Sequence, residues 1–267
     1  MRNGNESVVI VSATRTAVGS FCGGLASIPA HDLGAVLIKK VAESANIDLS
    51  EIDEVILGQI LTAGQGQNPA RQAAMKAGVP EEKTAFLVNQ LCGSGLRAVA
   101  LGAQQLILGD ANIIIAGGQE SMSQSHHSAF LRLGKKMGSM NIEDTMIKDG
   151  LNDALFGYHM GVTAENISKK FKISRKKQDA FALNSQLKAS IAQLNGKFID
   201  EITPISIQSK KENKKGGKLI LNLIFFLIFP NYPLNSYRIA LRHGFCPVNQ
   251  LSSTQDVLFP LDNALPV

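Results

Sequence analysis

Along the first 120 residues, apolar positions take two forms: short unbroken runs, and stretches spaced by three or four. Ser7 to Ala13 (SVVIVSA), residues 53–61 (DEVILGQIL), 84–90 (TAFLVNQ) and Ala111 to Ala116 (ANIIIA) belong to the first form. Such runs are the pattern of strands covered on both faces. Between them, residues 32–45 place Leu33, Val36, Leu37, Lys40 and Val41 along one side of a helix. Residues 93–108 place Leu96, Val99, Ala100, Ala103, Leu106 and Ile107 on the inner face of another. Asn68-Pro69 supplies an N-cap and a proline at the first helical position, and Gly78 and Gly109 are stop signals. Strand, helix, strand at this spacing is a βαβ unit. The expected fold class is therefore α/β, with a mixed or parallel sheet and helices packed on it.

The pattern then changes twice. From about Gly117 to Gly196 strand signals fade and turn residues dominate, as in an excursion over the surface. Within it, residues 175–195 form an amphipathic helix with Ala180, Phe181, Leu187, Ile191 and Leu194 on one side and Gly196 as its stop. After Lys218, the run LILNLIFFLIF (219–229) precedes five of the chain's nine prolines. Eleven residues fall short of the roughly 20 needed to span a bilayer. Three readings stay open for this run: a buried strand, an interfacial segment, or a sequence that packs poorly.

Composition narrows the function classes. The 267 residues suffice for one large domain or two ordinary ones. Three cysteines (Cys22, Cys92, Cys246) without a CxxC pair argue against a disulfide framework and a zinc site, and for a reducing compartment. No apolar stretch of signal-peptide type precedes the first strand, so the expected location is cytoplasmic. Most of the net charge of +5 lies in SKKENKKGGK (209–218), which reads as a solvated linker. Basic and aromatic residues are not interleaved, so neither nucleic acid nor a membrane is an expected partner.

One cysteine stands in a distinctive setting. Cys92 lies between the run 84–90 and Gly93-Ser94-Gly95, at the start of the helix to 108. A cysteine reacts as its thiolate, and free N–H groups at a helix N-terminus favour negative charge. The glycines would let a substrate approach the backbone and would leave N–H groups for an oxyanion. That is what acyl transfer through a thioester requires. The local sequence supports equally a structural cysteine at a strand–helix junction.

The segment VNQLCGSGLRAVALGAQQLILGDANIIIAGGQESMS closely resembles the active-cysteine region of thiolases, particularly the biosynthetic acetyl-CoA acetyltransferases. VIVSATRTAVGSFCGGL, GQILTAGQGQNPARQAAMKAG and MIKDGLNDALFGYHMGVTAENISKKFKISRKKQDAFALNSQ resemble the same family in the same order. The resemblance runs from Val8 to about Ile207. It implies a layered α/β thiolase-like fold made of two similar halves, of which this chain has the N-terminal half with an inserted loop domain and lacks the second. The expected organisation is a core over 1–120, a loop domain for coenzyme A binding and oligomerisation over 121–212, and a divergent tail over 213–267 outside the family fold.

On that resemblance Cys92 is the acyl-accepting nucleophile, and Leu151, His159 and Met160 contact the pantetheine arm. The substrates are acetyl-CoA and acetoacetyl-CoA. No metal or prosthetic group is expected, because coenzyme A carries the activated acyl group. SHHSAFLRLGKKMG resembles the loop through which such enzymes assemble, which implies a homo-oligomer. Gln119 stands where the family usually has methionine.

The family's remaining catalytic groups come from Gly-His-Pro, Asn-Glu-Ala-Phe and Cys-x-Gly-Gly motifs of the second half. None occurs in these residues: His243 and Cys246, in RHGFCPVNQ, match neither. The expectation is a thiolase by family whose condensation is impaired in isolation. A non-catalytic acyl-CoA-binding or oligomerising remnant is the alternative, and a separately encoded second half is a conceivable partner.

Overall fold

The computed structural model describes residues 7–207 and the backbone of 225–230. The basic run 209–218, His243 and Cys246 lie outside the described residues. Two sheets are formed. The larger contains β1 (Val8–Thr14), β2 (Glu54–Gly58), β3 (Thr84–Val88), β4 (Ile114–Gly118) and β7 (Phe225–Pro230), in the order β1-β7-β4-β2-β3. β2 runs parallel to both β3 and β4, whereas β7 is antiparallel to β1 and β4, so the sheet is mixed. The smaller pairs β5 (His127–Ser128) with β6 (Glu143–Asp144).

Alternation along each strand divides the core into two layers. Val55, Leu57, Ile113, Ile115, Ala85 and Leu87 face one side, where α1 (Ala30–Ala45) and α2 (Pro69–Ala77) cover them. Ile56, Ile114, Ala116, Phe86 and Val88 face the other, where α3 (Ser94–Leu108) lies. This explains the unbroken apolar runs, since both faces of the strands are covered. The opposite ends of the strands are pinned by acidic side chains. Asp53 accepts from the amides of Asn112 and Ile113, and Glu54 accepts from Thr84 Oγ1 and Gln105 Nε2.

Local signals placed the helix ends well. Asn68 Oδ1 accepts from the Arg71 amide, Pro69 opens α2, and Gly78 (φ +98°) closes it in a conformation that costs glycine little. Facing was harder to foresee. In α3 the buried residues are Ser94, Ala98, Gly102 and Leu106, whereas Leu96 is 67% and Ile107 58% exposed. The expected inner face is thus partly the outer one, because α3 is apolar nearly all round and spacing does not decide which stripe meets the sheet. In α1, Ile38 is buried and Val36 turns outward. Residues 91–108 are long and apolar enough to cross a membrane by length and composition, yet α3 here is a core helix with one uncovered face.

The excursion begins after β4 and contains a π-helical turn (Met146–Leu151), α4 (Met160–Lys170) and α5 (Arg175–Leu194). Its helices fall where expected, but no residue of α4 or α5 is buried, and Phe181 and Leu194 are 76% and 83% exposed. The segment after α5 returns to the core. Ile202 bridges Arg15, Thr14 Oγ1 lies 2.6 Å from Thr203 Oγ1, and Arg15 pairs with Glu201. Ile202 and Ile205 pack against Ala17, Leu25 and Leu33.

One expectation is corrected. A boundary at 213 sets the whole tail apart from the core, but Phe225–Pro230 is an interior strand of the main sheet. Of the three readings of the run 219–229, the buried strand holds for its C-terminal half. An uninterrupted apolar segment suits a position flanked by strands on both sides.

The orientation of α3 predicts a contrast between two leucines. Leu106→Ala should lower unfolding free energy by about 2–5 kcal/mol, whereas Leu96→Ala should change it by less than about 0.5 kcal/mol. Urea denaturation of the two variants measures both; equal losses would contradict the facing described.

Candidate functional site

The parallel strands β2, β3 and β4 end in register, with Gly58 opposite both Val88 and Gly118. Ligand sites of open α/β sheets lie at such carboxyl ends. Beyond Val88 the chain makes a tight turn through Asn89, Gln90 and Leu91 and enters α3. Leu91 has φ +46°, in the left-handed region that a branched side chain adopts at a cost. The turn is held by a dense set of hydrogen bonds. Ser94, buried, donates from its hydroxyl to the Leu91 carbonyl at 2.6 Å and accepts from the Gln90 amide at 2.8 Å. Asn89 Oδ1 accepts from the Leu91 amide, and the Gly93 amide donates to the Gln90 carbonyl.

Cys92 follows the strained residue directly. Its thiol is free and exposed, just before Gly93, the N-cap of α3. No side chain caps this helix end. The amides of Ser94 and Arg97 are committed to the Leu91 and Gly93 carbonyls. Those of Gly95 and Leu96 have no acceptor among the described residues, so they add to the positive end of the helix dipole.

Glycines set how closely α3 approaches the sheet. A Cβ on Gly58 would stand 2.5 Å from the Gly95 nitrogen and 2.7 Å from Ser94 Cβ. A Cβ on Gly118 would meet the Gly58 oxygen and Gly95 Cα at 3.4 Å. Backbone therefore rests on backbone beneath Cys92. Gly95 was singled out from the sequence; Gly58 and Gly118 were not, since a glycine at a strand end reads first as a turn signal.

Two polar side chains support the loops above these strand ends. Glu120 Oε2 accepts from the amides of Ile60 (2.9 Å) and Leu61 (3.2 Å). Burial raises its pKa above the usual carboxylate range, opposed by the bonds from Ile60, Leu61 and Ser121. Gln119 donates to Gln59 Oε1 at 2.8 Å, but its own Oε1 is buried without a partner and points at Gly34 of α1. An amide at this position thus leaves an unpaired acceptor that methionine would not have.

The three residues expected at the pantetheine arm come together at the base of one loop. Leu151 ends the π-helical turn, Asn152 bridges His159, and the Asp153 amide donates to the Tyr158 carbonyl. His159 is exposed and caps α4, its Nδ1 accepting from the Gly161 amide at 3.0 Å. That bond places the proton of the neutral ring on Nε2, which is left to donate. Met160 follows, 38% exposed. Gly150, next to Leu151, lies against Leu61, which ties this loop to the same end of the sheet as Cys92. Among the described residues, no group of three or more His, Cys, Asp or Glu is arranged to hold a metal ion.

Gly58→Ala should cost about 1–3 kcal/mol of stability through overpacking against Ser94 and Gly95. Gly150→Ala, which meets only ordinary contact with Leu61, should stay within about 0.5 kcal/mol. A second prediction concerns Glu120. Its raised folded pKa favours the protonated form, so its contribution to stability is full below the ordinary value of 4.5 and is lost as pH rises through the folded value. The wild-type protein should lose stability relative to Glu120→Gln as pH rises from about 4 to about 7. Urea denaturation across that range tests it, and a constant difference would contradict it.

A family model described as the thiolase N-terminal domain matches residues 8–218. An acetyl-CoA acetyltransferase of Rhizobium meliloti (strain 1021) is 61% identical over 207 residues, covering 78% of this chain and 53% of that protein. One from Paracoccus denitrificans is 62% identical over 203 residues, covering 76% and 52%. The rat protein named "Acetyl-CoA acetyltransferase, cytosolic" is 49% identical over 211 residues, covering 79% and 53%. The chain spans about half the length of the curated relatives it matches. With a family model matched over most of its residues and a layered α/β sheet that carries the matched segments in order, this chain belongs to the thiolase family.

Proposed function

We propose that this chain carries the acyl-accepting half of an acetyl-CoA acetyltransferase reaction. The Cys92 thiolate attacks the thioester carbonyl of acetyl-CoA and forms a tetrahedral oxyanion. Collapse expels coenzyme A as its thiolate, which takes up a proton, and leaves an acetyl thioester on Cys92. The observation that carries this reading is the exposed Cys92 thiol at the uncapped N-terminus of α3, on a strained turn clamped by Ser94. A helix N-terminus favours both the thiolate and the oxyanion. Names of relatives at up to 62% identity support the substrate class.

Leu151, His159 and Met160 would line the pantetheine arm, with His159 Nε2–H available as a donor to an amide carbonyl of that arm. Coenzyme A brings the activated acyl group, so this reading calls for no metal or prosthetic group. The location consistent with it is the cytoplasm.

Claisen condensation to acetoacetyl-CoA, and its reverse, thiolysis, require a base for the α-proton and an activating histidine. These 267 residues contain neither Gly-His-Pro nor Cys-x-Gly-Gly. We therefore expect condensation by this chain alone to be very weak or absent, since loss of such groups costs orders of magnitude in rate. A separately encoded second half would restore it.

The second reading, a non-catalytic remnant that binds acyl-CoA or self-associates, is favoured by one observation. Phe130, Leu133 and Met137, in the loop that resembles the family's assembly segment, are each more than four-fifths exposed. An exposed apolar cluster of this kind suits an interface in a homo-oligomer, dimer or tetramer.

Mass spectrometry of the protein mixed with acetyl-CoA separates the readings. An acetyl adduct should appear on Cys92, persist in Cys22→Ser and vanish in Cys92→Ser. Binding of acetyl-CoA without an adduct would favour the remnant, and ordinary thiolase turnover by the chain alone would refute the impaired condensation.

A further inference from the structure

The family model ends at residue 218, yet the main sheet contains a strand from beyond that point. β7 pairs with β1 over its whole length, from Val8 opposite Pro230 to Thr14 opposite Phe225. On its other side Phe225 to Ile228 pair with Gly117 to Ile114 of β4. It is therefore an interior strand. Among the described residues β1 has no other strand partner, so its place in the sheet depends wholly on β7.

We propose that Phe225–Pro230 acts as a complementing strand, supplied from outside the family-matched region, that fastens β1 into the core. Three observations support this assignment. Residues 225–229 (FFLIF) contain no polar side chain, as an interior strand covered on both faces requires. The proline stands at the strand's last residue, where its missing N–H disturbs the ladder least. α1 and α3, which cover opposite faces of the sheet, both come against β7.

The dependence extends past β1. Val8 and Ile10 pack on the α3 side and Val11 on the α1 side, so β1 contributes to both core layers. At its end, Thr14 and Arg15 hold Thr203 and Glu201, and through them the segment that returns from the excursion. If β7 were withdrawn, β4 would present an unpaired edge over Ile114–Gly117, and β1 would have no ladder. A buried edge without partners is unfavourable, and an exposed apolar one invites aggregation.

Hydrogen exchange on the full chain, read by mass spectrometry of peptides, tests the assignment. Amides of 226–229 should be protected to the same degree as those of 114–117. Free exchange at 226–229, with β2, β3 and β4 protected, would overturn it. Leu227→Pro removes an amide from the middle of the strand and should abolish protection in Val8–Thr14, whereas Leu227→Val should retain it. Unfolding of the proline variant as a whole, with the valine variant intact, would support the same dependence. Unchanged protection of β1 in Leu227→Pro would overturn it. None of these outcomes depends on whether Cys92 accepts an acetyl group.

Discussion

Where β2 and β4 end, Gly58 and Gly118 lie side by side in register, and the first turn of α3 rests on them with no side chain between. The position of Cys92 follows from this contact. Side chains hop between rotamers, but two backbones in van der Waals contact have little freedom to shift. The nucleophile candidate therefore inherits the precision of the sheet. Ser94 adds to this by satisfying both ends of the turn with one hydroxyl, which holds Leu91 in its left-handed conformation. Strain of this kind persists only where the surroundings over-determine it. Here the surroundings are the strand ends below and the hydrogen-bonded turn around it.

α3 also shows what the structure leaves uncovered. One stripe, Ala98, Gly102 and Leu106, meets the sheet. The opposite stripe, with Leu96, Ile107 and Leu108, remains in contact with solvent. A helix apolar all round normally lies between two layers. This chain spans about half of its matched relatives, and its uncovered surface lies on the helix that begins at Cys92 and on α4 and α5 of the excursion. Low coverage and reactive chemistry thus occur together: the surface beside the thiol is the least completed part of the molecule.

Much of this was legible beforehand. Elements were legible because strands buried on both faces leave continuous apolar runs, and because Asn68, Gly78 and Gly109 act locally. Cys92 was legible because a cysteine before Gly-Ser-Gly is unusual chemistry in an identifiable place. The family resemblance, carried by several motifs in order, then assigned it a role. Packing partners were less legible. Spacing marks an apolar stripe but not what it touches, hence the exchange of faces in α3 and the exposed side of α5. Gly58 and Glu120 were hidden for another reason: their roles depend on contacts with α3 and with the loop after β2, and neither contact is encoded at neighbouring positions. The run at 219–229 was ambiguous because an isolated apolar segment carries no record of its pairing partners.

The sheet order has a consequence for the order of events in synthesis. β1 is the first strand to leave the ribosome, and its ladder partner is separated from it by more than two hundred residues. At roughly 5–20 residues per second, β1 waits on the order of ten to forty seconds before its partner is made. β2, β3 and β4 can pair with one another during that interval, since each is joined to the next by a single helical crossover. The nascent chain thus passes through a stage in which a three-stranded parallel sheet exists while its N-terminal strand is unpaired. Closure by such a distant segment is slow on topological grounds. For this protein, the interval before residue 230 emerges is when a chaperone that shields extended apolar segments would matter most.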